Sequence, residues 1–310
     1  MFSVIFPGQG SQSVGMGKEL YKKYDIIKKL FKDADDVLEF NLSELILEGP
    51  AEKLNLTQNT QPSIFLVSYC IFKISKDEFG INLNKARYFA GHSLGEYTAL
   101  TCANALNFTD TLTLLSKRGK AMQESVPDAK GGMLAIIGSN LKVIEDLLIE
   151  NDKKYKCYIA NDNSSNQIVV SGYLDDIDKF SNDLKAKKIK NIKLPVSAPF
   201  HCKLMKDATI KMSEELDKVH IKDLSNPIIS NVTANEVQSK DDIKDLLKKQ
   251  IENRVRWRES INYILQKDIT KFIEIGPGKI QTNLIKRFNN TIDINSLNSE
   301  EDIKNIEIND

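Results

Sequence analysis

The chain has 310 residues, of which 41% are hydrophobic, enough for a sizeable core in one large domain or two unequal ones. Lysine plus arginine and aspartate plus glutamate both number 43, so the formal net charge is zero and no overall field favours nucleic acid or an anionic membrane. No apolar run approaches the roughly 20 residues of a membrane span, and the four cysteines are too far apart for a Cys-x-x-Cys site. We expect a globular, cytoplasmic protein with reduced thiols, no nucleic-acid partner and no membrane association.

Apolar patterning predicts alternating strands and helices over the first 127 residues. The predicted elements are strands over 3–6 and 88–90 and helices over 18–38, 43–47, 62–75 and 110–125. The helix over 18–38 is predicted because its apolar residues recur at steps of three and four and so share one face. Pro62 suits the first turn of its helix, and Thr109 is expected to cap the helix that follows it.

The pattern changes between residues 128 and 196. The predicted elements there are strands over 133–137, 157–160, 167–171 and 189–194 and helices over 141–149 and 177–186. This βαββαβ order is the ferredoxin-like pattern. We therefore expect a small ferredoxin-like subdomain at 128–196, inserted into a large α/β domain formed by 1–127 and 197–310.

Alternation of strands and helices resumes after the insertion. The predicted elements are strands over 228–232 and 272–275 and helices over 241–249 and 280–287. Polar and acidic residues dominate 295–310, which we expect to be loosely ordered or to form a late surface helix. The expected fold class is α/β, with a short parallel sheet in the large domain.

The sequence GHSLG at 91–95 follows the strand over 88–90 and opens a helical segment. This is the context of a nucleophile elbow, in which a strained turn presents the serine hydroxyl at the carboxyl end of a strand. The N–H groups of the helix start point to the same space, where they can stabilise an anionic oxygen. The pattern makes Ser93 a candidate nucleophile, with a plain serine- and glycine-rich turn as the alternative.

A serine nucleophile needs a base, and the chain has three histidines. His92 is expected to pack beneath the elbow, and His220 is expected at the surface. His201 follows Pro199, which favours an extended backbone, at the junction where the chain returns to the large domain and where sites tend to form. Elimination favours His201 as the base, with a structural histidine as the alternative.

Arg118 lies on the predicted helix over 110–125 and shares a face with apolar residues. A buried arginine needs an anionic partner or must extend to water along the apolar surface. It is therefore either a fork for a substrate carboxylate or an arginine at the edge of the core. The glycine-containing segments 8–10 and 276–279 do not match nucleotide-binding motifs, because Ser13 replaces the third glycine and no Gly-Lys-Ser/Thr follows.

Several segments together resemble the malonyl-CoA:acyl-carrier-protein transacylases over nearly the whole chain. The matching motifs are FPGQGSQ (6–12), TQP (60–62), GHSLGEY (91–97), RGKAMQ (118–123), APFH (198–201), SNVT (230–233), VRW (255–257) and EIGPGK (274–279). The resemblance implies a hydrolase-like α/β core that carries a ferredoxin-like subdomain. The site is then expected in the gorge between them.

The resemblance also implies roles for individual residues. Ser93 would be acylated and His201 would act as its base. Leu94 and Gln9 would provide backbone N–H groups to the oxyanion hole, and Arg118 would bind the malonyl carboxylate. No metal or cofactor is expected.

Three further features come from the resemblance. The backbone carbonyl of Gln250 would orient the histidine, so that no acidic third member is needed. Phe200 is similar to the residue found in malonyl-selective members. Arg254 stands where the family commonly has a proline, which places the loop after Gln250 in question.

The implied activity is transfer of malonyl from malonyl-CoA to the phosphopantetheine thiol of acyl carrier protein, which supplies fatty acid biosynthesis. The expected partners are this carrier protein and coenzyme A, and the expected state is a monomer. The alternatives are malonyl loading for a polyketide pathway, a serine esterase or thioesterase, and a docking subunit without catalysis. An esterase would need no Arg118, and a docking subunit should not retain Ser93 and His201 together with it.

Overall fold

The structure, a computed structural model, describes residues 1–126, 130–289 and 291–307. The expected domain boundary at 127/128 lies outside the described residues, as do 308–310. The elements of the first segment are β1 Phe2–Phe6, α1 Lys18–Lys23, α2 Asp25–Leu38, α3 Leu42–Glu48, α4 Ala51–Leu54, α5 Thr57–Asp77, β2 Tyr88–Gly91, α6 Leu94–Cys102 and α7 Phe108–Glu124. In the described ranges, no helix is both long enough and apolar enough to cross a membrane.

The next segment contains the βαββαβ order that the sequence predicted. Its elements are β3 Gly131–Ile137, α8 Leu141–Glu150, β4 Cys157–Ser164, β5 Gln167–Tyr173, α9 Leu174–Ala186 and β6 Lys190–Lys193. The four strands form an antiparallel sheet in the order β4-β5-β3-β6. The predicted ferredoxin-like unit is therefore confirmed as a sheet of its own.

The rest of the chain returns to the large sheet. Its elements are α10 Lys206–Lys218, β7 Ile228–Ile229, α11 Ile243–Glu252, α12 Trp257–Leu265, β8 Lys271–Ile275, α13 Ile280–Ile285, β9 Asp293–Leu297 and α14 Glu300–Asn305. The large sheet is parallel in the order β7-β2-β1-β8-β9. The predicted α/β class with a parallel sheet and an additional antiparallel sheet is confirmed.

Strand β1 lies at the centre of the large sheet, and its five residues are all buried. Val4 and Phe6 pack into the larger core cluster, whereas Ile5 packs into a second cluster with Trp257. Successive side chains of a strand point to opposite faces, so both faces of the sheet are covered, as is usual for parallel sheets. The carboxyl ends of β1 and β2 are thereby brought side by side, with Phe6 opposite Gly91.

Several predicted boundaries were wrong. The helix predicted over 18–38 is interrupted at Tyr24, whose backbone is extended at φ −112° and ψ 121°. The apolar periodicity continues through this break, so it gives no sign of it. The helix with Pro62 begins earlier, at Thr57. Its first turn lies against Gly119, where an added Cβ would lie 2.5 Å from the Thr57 carbonyl oxygen.

The cap of α7 also differs from the prediction. Asn107, rather than Thr109, accepts a hydrogen bond from the Asp110 N–H and begins the helix. The strand predicted over 228–232 is formed only at Ile228–Ile229. Helices α4, α10 and α12 were not predicted.

The polar segment after residue 294 was expected to be either loosely ordered or a late surface helix, and the structure shows the helix. It completes a strand, β9, which pairs with β8, and then forms α14, so the late helix is confirmed. Ile294, Leu297 and Ile303 are buried on the large domain. These few apolar residues lie among many polar ones, so the composition of the segment did not predict their burial.

Candidate active site

Ser93 lies in a strained turn between β2 and α6, with φ 55° and ψ −109°. A Cβ on Gly91 would lie 1.9 Å from the Gly95 carbonyl oxygen, and one on Gly95 would lie 2.6 Å from that of Phe6. Only glycine fits at both positions, since a side chain would collide with backbone. The turn therefore holds the hydroxyl at the carboxyl end of the sheet, as the elbow motif predicted.

The predicted base is in contact with this hydroxyl. His201 Nε2 lies 2.8 Å from Ser93 Oγ, and His201 Nδ1 lies 2.8 Å from the Gln250 carbonyl oxygen. A carbonyl oxygen only accepts, so Nδ1 carries the proton and Nε2 is free to accept one from the serine. Burial and the nearby Arg118 charge lower the pKa of His201 to about 3, which keeps the imidazole neutral.

Arg118 is completely buried, so the alternative of an arginine at the edge of the core is wrong. Its Nη1 donates to Gln61 Oε1 at 2.7 Å, and its Nη2 donates to Gln250 Oε1 at 2.8 Å and Ser93 Oγ at 3.2 Å. Its Nε has no hydrogen-bond partner. Within the described part of the chain, no carboxylate forms an ion pair with this guanidinium, although buried charges are normally paired.

The Gln250 side chain connects Arg118 to a buried acid. Its Nε2 donates to Glu96 Oε2 at 2.6 Å and to the Ser93 carbonyl oxygen at 3.0 Å. Burial raises the pKa of Glu96 to about 7. Asn231 supports the same turn, since its Oδ1 accepts from the Ser93 N–H at 2.7 Å.

Three of these residues were not predicted as part of the site. Gln61, Glu96 and Asn231 all fall inside the motifs TQP, GHSLGEY and SNVT. These motifs were the sequence signal that could have identified the three residues. The roles of the residues could not be derived from sequence, because each depends on a contact with a residue far along the chain.

A cavity of about 100 Å³ opens beside the serine. It is lined by Gln9, Gln61, His92, Ser93, Leu94, Arg118, Met122, Met133, Asn161, Leu194, Val196, Phe200 and His201. Residues that follow strands β1 and β2 of the large sheet meet residues of the antiparallel sheet here. The cavity thus contains six of the seven predicted site residues, and the seventh, Gln250, touches both His201 and Arg118.

The backbone N–H groups of Gln9 and Leu94 are available at this cavity. Neither donates a hydrogen bond to another residue in the described ranges. Leu94 is the first residue of α6, where such N–H groups are normally unpaired. Both N–H groups are therefore left without an acceptor among the described residues.

Of the remaining histidines, His220 is placed as expected, whereas His92, expected beneath the elbow, lies in the wall of the cavity. His92 is half-buried, with Nε2 2.9 Å from Asn163 Oδ1 and its ring edge-on to Trp257. His220 is exposed. Neither contacts the Ser93 hydroxyl.

The segment around Arg254, which the resemblance had placed in question, is held by several contacts. The Val255 N–H donates to the Ala160 carbonyl oxygen at 2.8 Å, and Arg254 pairs with Glu145 at 2.9 Å. These contacts link the large domain to the ferredoxin-like segment near His201. With this segment in place, the Gln250 carbonyl oxygen contacts His201 Nδ1.

All four cysteines are buried and free. Among the described residues, no group of three or more His, Cys, Asp or Glu side chains is arranged to hold a metal ion. The polar chemistry of the cavity is therefore that of the serine, the histidine, the guanidinium and the amides around them.

Known proteins are similar to this chain over nearly its whole length. The family model described as "Acyl transferase domain" matches residues 3–305. The chain belongs to this acyl transferase family. It is 43% identical over 304 residues to the malonyl CoA-acyl carrier protein transacylase of Bacillus subtilis strain 168, covering 97% of this chain and 94% of that protein.

Solved structures of family members are similar over nearly the whole chain. An acyl-carrier-protein-S-malonyltransferase from Bartonella henselae has a TM-score of 0.94 and 38% identity, with 98% of each chain covered. A malonyl-transacylase in complex with its type II PKS acyl-carrier protein has a TM-score of 0.93 and 35% identity, covering 98% of this chain and 97% of that one. At this similarity the acyl transferase fold is established.

The low pKa of His201 predicts how the serine responds to pH. A neutral base is present above its pKa of about 3, so reaction of Ser93 with a sulfonyl fluoride should fall less than about twofold between about pH 7.5 and 5.5. A histidine of ordinary pKa would lose about tenfold over this interval. The rate of labelling, followed by intact mass, measures the difference.

The His201→Ala variant is the control, and its labelling should be slow throughout. A tenfold loss in the native protein would show that His201 titrates normally. The environment described here for the imidazole would then be wrong.

Proposed function

We propose that this protein transfers a malonyl group from malonyl-CoA to the phosphopantetheine thiol of an acyl carrier protein through a malonyl-Ser93 intermediate. The observation that carries the proposal is the position of Ser93 Oγ, 2.8 Å from a neutral histidine and 3.2 Å from a buried guanidinium. A nucleophile, its base and a cation without a carboxylate partner thus meet at one small cavity. This suits an acyl group that carries its own negative charge.

In the first half-reaction, His201 Nε2 takes the proton of the Ser93 hydroxyl as Oγ attacks the thioester carbonyl. The oxyanion that develops accepts hydrogen bonds from the N–H groups of Gln9 and Leu94. The imidazolium is held by the Gln250 carbonyl oxygen, which accepts from Nδ1. Collapse of the intermediate breaks the C–S bond, and the coenzyme A thiolate leaves with the proton from His201.

The second half-reaction repeats these steps with the carrier protein. His201 takes the proton of the pantetheine thiol, whose sulfur attacks the malonyl ester, and returns the proton to Ser93 as the ester breaks. Throughout, Arg118 holds the malonyl carboxylate through two parallel hydrogen bonds. Phe200 provides an apolar wall of the narrow cavity, which limits the access of water to the ester.

The alternatives explain less of the site. A serine esterase or thioesterase shares Ser93 and His201, but gains nothing from a fully buried cation beside the nucleophile. A docking subunit needs none of the three groups. The names of the relatives, a malonyl CoA-acyl carrier protein transacylase and a malonyl-transacylase in complex with an acyl-carrier protein, support the transferase.

We further propose that the protein supplies fatty acid biosynthesis in the cytoplasm, as a monomer without a metal or cofactor. Support comes from a site built within one chain and from four free cysteines, which suit a reducing compartment. The purified 35.0 kDa chain should transfer malonyl to a fatty acid carrier protein at the solution mass of one chain. Activity only after added metal, only as an oligomer, or only with a polyketide carrier protein would contradict these points.

Incubation with malonyl-CoA tests the covalent step. The native protein should gain the mass of one malonyl group, and a carrier protein in its pantetheine form should remove it. The Ser93→Ala variant should gain nothing and lose roughly 10⁴-fold or more in transfer, because the covalent route disappears. Free malonic acid without a lasting adduct would indicate a hydrolase, and no change at all would indicate a docking protein.

The role of Arg118 predicts a change in selectivity. Arg118→Ala removes charge-assisted hydrogen bonds worth about 1.5–3 kcal/mol, so malonyl transfer should fall by about 10- to 150-fold. Acetyl transfer should be spared or improve, since acetyl has no carboxylate to form these bonds with the native arginine. The measurement is the ratio of kcat/KM for malonyl-CoA and acetyl-CoA.

Arg118→Lys is the matched control and should rescue only in part, because an ammonium cannot form two parallel bonds. Thermal unfolding of each variant separates lost recognition from misfolding. An unchanged ratio in Arg118→Ala would leave the malonyl carboxylate without this partner and would make Arg118 a structural residue.

A further inference from the structure

Glu96 is a buried acid that the mechanism above does not use. It lies on the first turn of α6, three residues after the nucleophile, and only 2% of its surface is exposed. Its Oε2 accepts hydrogen bonds from Gln250 Nε2 at 2.6 Å and from the Asn231 N–H at 3.2 Å. Within the described ranges it forms no ion pair, which is unusual for a carboxylate buried this deeply.

The Gln250 amide connects this acid to the cation of the site. Its donor end faces Glu96, and its acceptor end faces Arg118, whose Nη2 lies 2.8 Å from Oε1. An amide can bridge a carboxylate and a guanidinium only in this orientation, because an amide oxygen cannot donate. Glu96 therefore fixes the side chain of the residue whose backbone carbonyl holds His201.

The charges of Glu96 and Arg118 influence one another inside a region that excludes water. Burial raises the pKa of Glu96 to about 7, and the positive charge of Arg118 opposes that rise. Tyr97, whose ring lies beneath the guanidinium at 5.4 Å, is the other titratable group coupled to both. Burial raises the pKa of Tyr97 to about 12, so it stays neutral.

Binding of a malonyl carboxylate at Arg118 brings a second negative charge into this region. The guanidinium is then neutralised by the substrate, and Glu96 loses the attraction that favoured its ionised form. Two carboxylates that share one cation in a buried site cannot both remain ionised at low cost. The carbonyl oxygen of a neutral carboxyl can still accept from Gln250 Nε2, so protonation preserves the orientation of the amide.

We infer that Glu96 is a positioning residue that balances the charge of Arg118 in the free protein and takes up one proton from solvent when a malonyl carboxylate binds there. This inference rests on the proposed function, since it requires the carboxylate to bind at Arg118. It explains how an arginine can stay buried both before and after the substrate arrives. It also predicts that malonyl binding, unlike acetyl binding, is linked to proton uptake.

The size and sign of the effect follow from linkage. The bound state holds more protons than the free state, so the affinity for malonyl-CoA should fall as pH rises above about 7. The decrease should approach tenfold per pH unit until the raised pKa of the bound state is reached. Near neutral pH Glu96 is only partly ionised in the free protein, so uptake should be less than one proton per ligand there and should increase as pH rises.

The test uses the full chain carrying Ser93→Ala, which binds malonyl-CoA without being acylated. Titration calorimetry in two buffers of different ionisation enthalpy counts the protons taken up with malonyl-CoA and with acetyl-CoA. The expected result is uptake with malonyl-CoA in excess of that with acetyl-CoA, together with a malonyl affinity that falls above pH 7. The coenzyme A phosphates are common to both ligands and cancel in the comparison.

Adding Glu96→Gln should abolish the difference in proton uptake and its pH dependence, because glutamine keeps an oxygen for Gln250 but cannot titrate. Glu274→Gln is the matched control and should leave the difference unchanged. Glu274 is also a fully buried acid, but its oxygens accept from the N–H groups of Gln281 and Thr282, outside the cavity. If the Glu96→Gln protein fails to fold, the inference is judged from the proton uptake of the Ser93→Ala protein with malonyl-CoA and with acetyl-CoA.

The outcomes separate the inference from the function on which it rests. Tighter binding of malonyl-CoA than acetyl-CoA with equal proton counts would overturn the inference and leave the proposed function intact. Excess uptake that persists in the Ser93→Ala/Glu96→Gln protein would also overturn it, because another group, such as His201, would then hold the proton. Equal affinity for the two ligands would contradict both.

Discussion

The burial of Arg118 is the constraint on which the rest of the site depends. A guanidinium removed from water must be hydrogen-bonded, and here the acceptors are the side-chain oxygens of Gln61 and Gln250 and the hydroxyl of Ser93. None of these is an anion, so the guanidinium contacts only dipoles, and Glu96 lies one residue away, across the Gln250 amide. The same contact places Ser93 and Gln250 at fixed positions around it, and Gln250 in turn holds His201.

The fold brings these groups together at one cavity from distant parts of the chain. Parallel pairing of β1 and β2 places the Gln9 loop beside the elbow at the carboxyl ends of these strands. Ligands of open α/β sheets usually bind at this end of the sheet. The antiparallel sheet contributes Met133 and Asn161 from the other side of the cavity. Chemistry is thus confined to a space of about 100 Å³, which suits a small acyl group that must be shielded from water.

Much of this was predictable from local patterns. The elbow around Ser93 and the βαββαβ order depend on short-range sequence. The apolar face of the predicted helix over 110–125 marked Arg118 as a candidate site residue. The break at Tyr24 was not predictable, because apolar periodicity continues through it. The first turn of α5 lies against Gly119, a residue about 60 positions along the chain, so its start has no local sign either. The contacts of Glu96 with Gln250 join residues 154 positions apart, a separation at which sequence patterning carries no geometric information.

The central claim is that the Arg118 guanidinium, whose hydrogen-bond partners are all uncharged, binds the acyl carboxylate. The most direct test is a crystal structure of the Ser93→Ala protein with malonyl-CoA. The account predicts both carboxylate oxygens within hydrogen-bond distance of the Arg118 guanidinium, and the thioester carbonyl oxygen against the N–H groups of Gln9 and Leu94. A malonyl carboxylate that points away from Arg118, toward solvent or another cation, would contradict it.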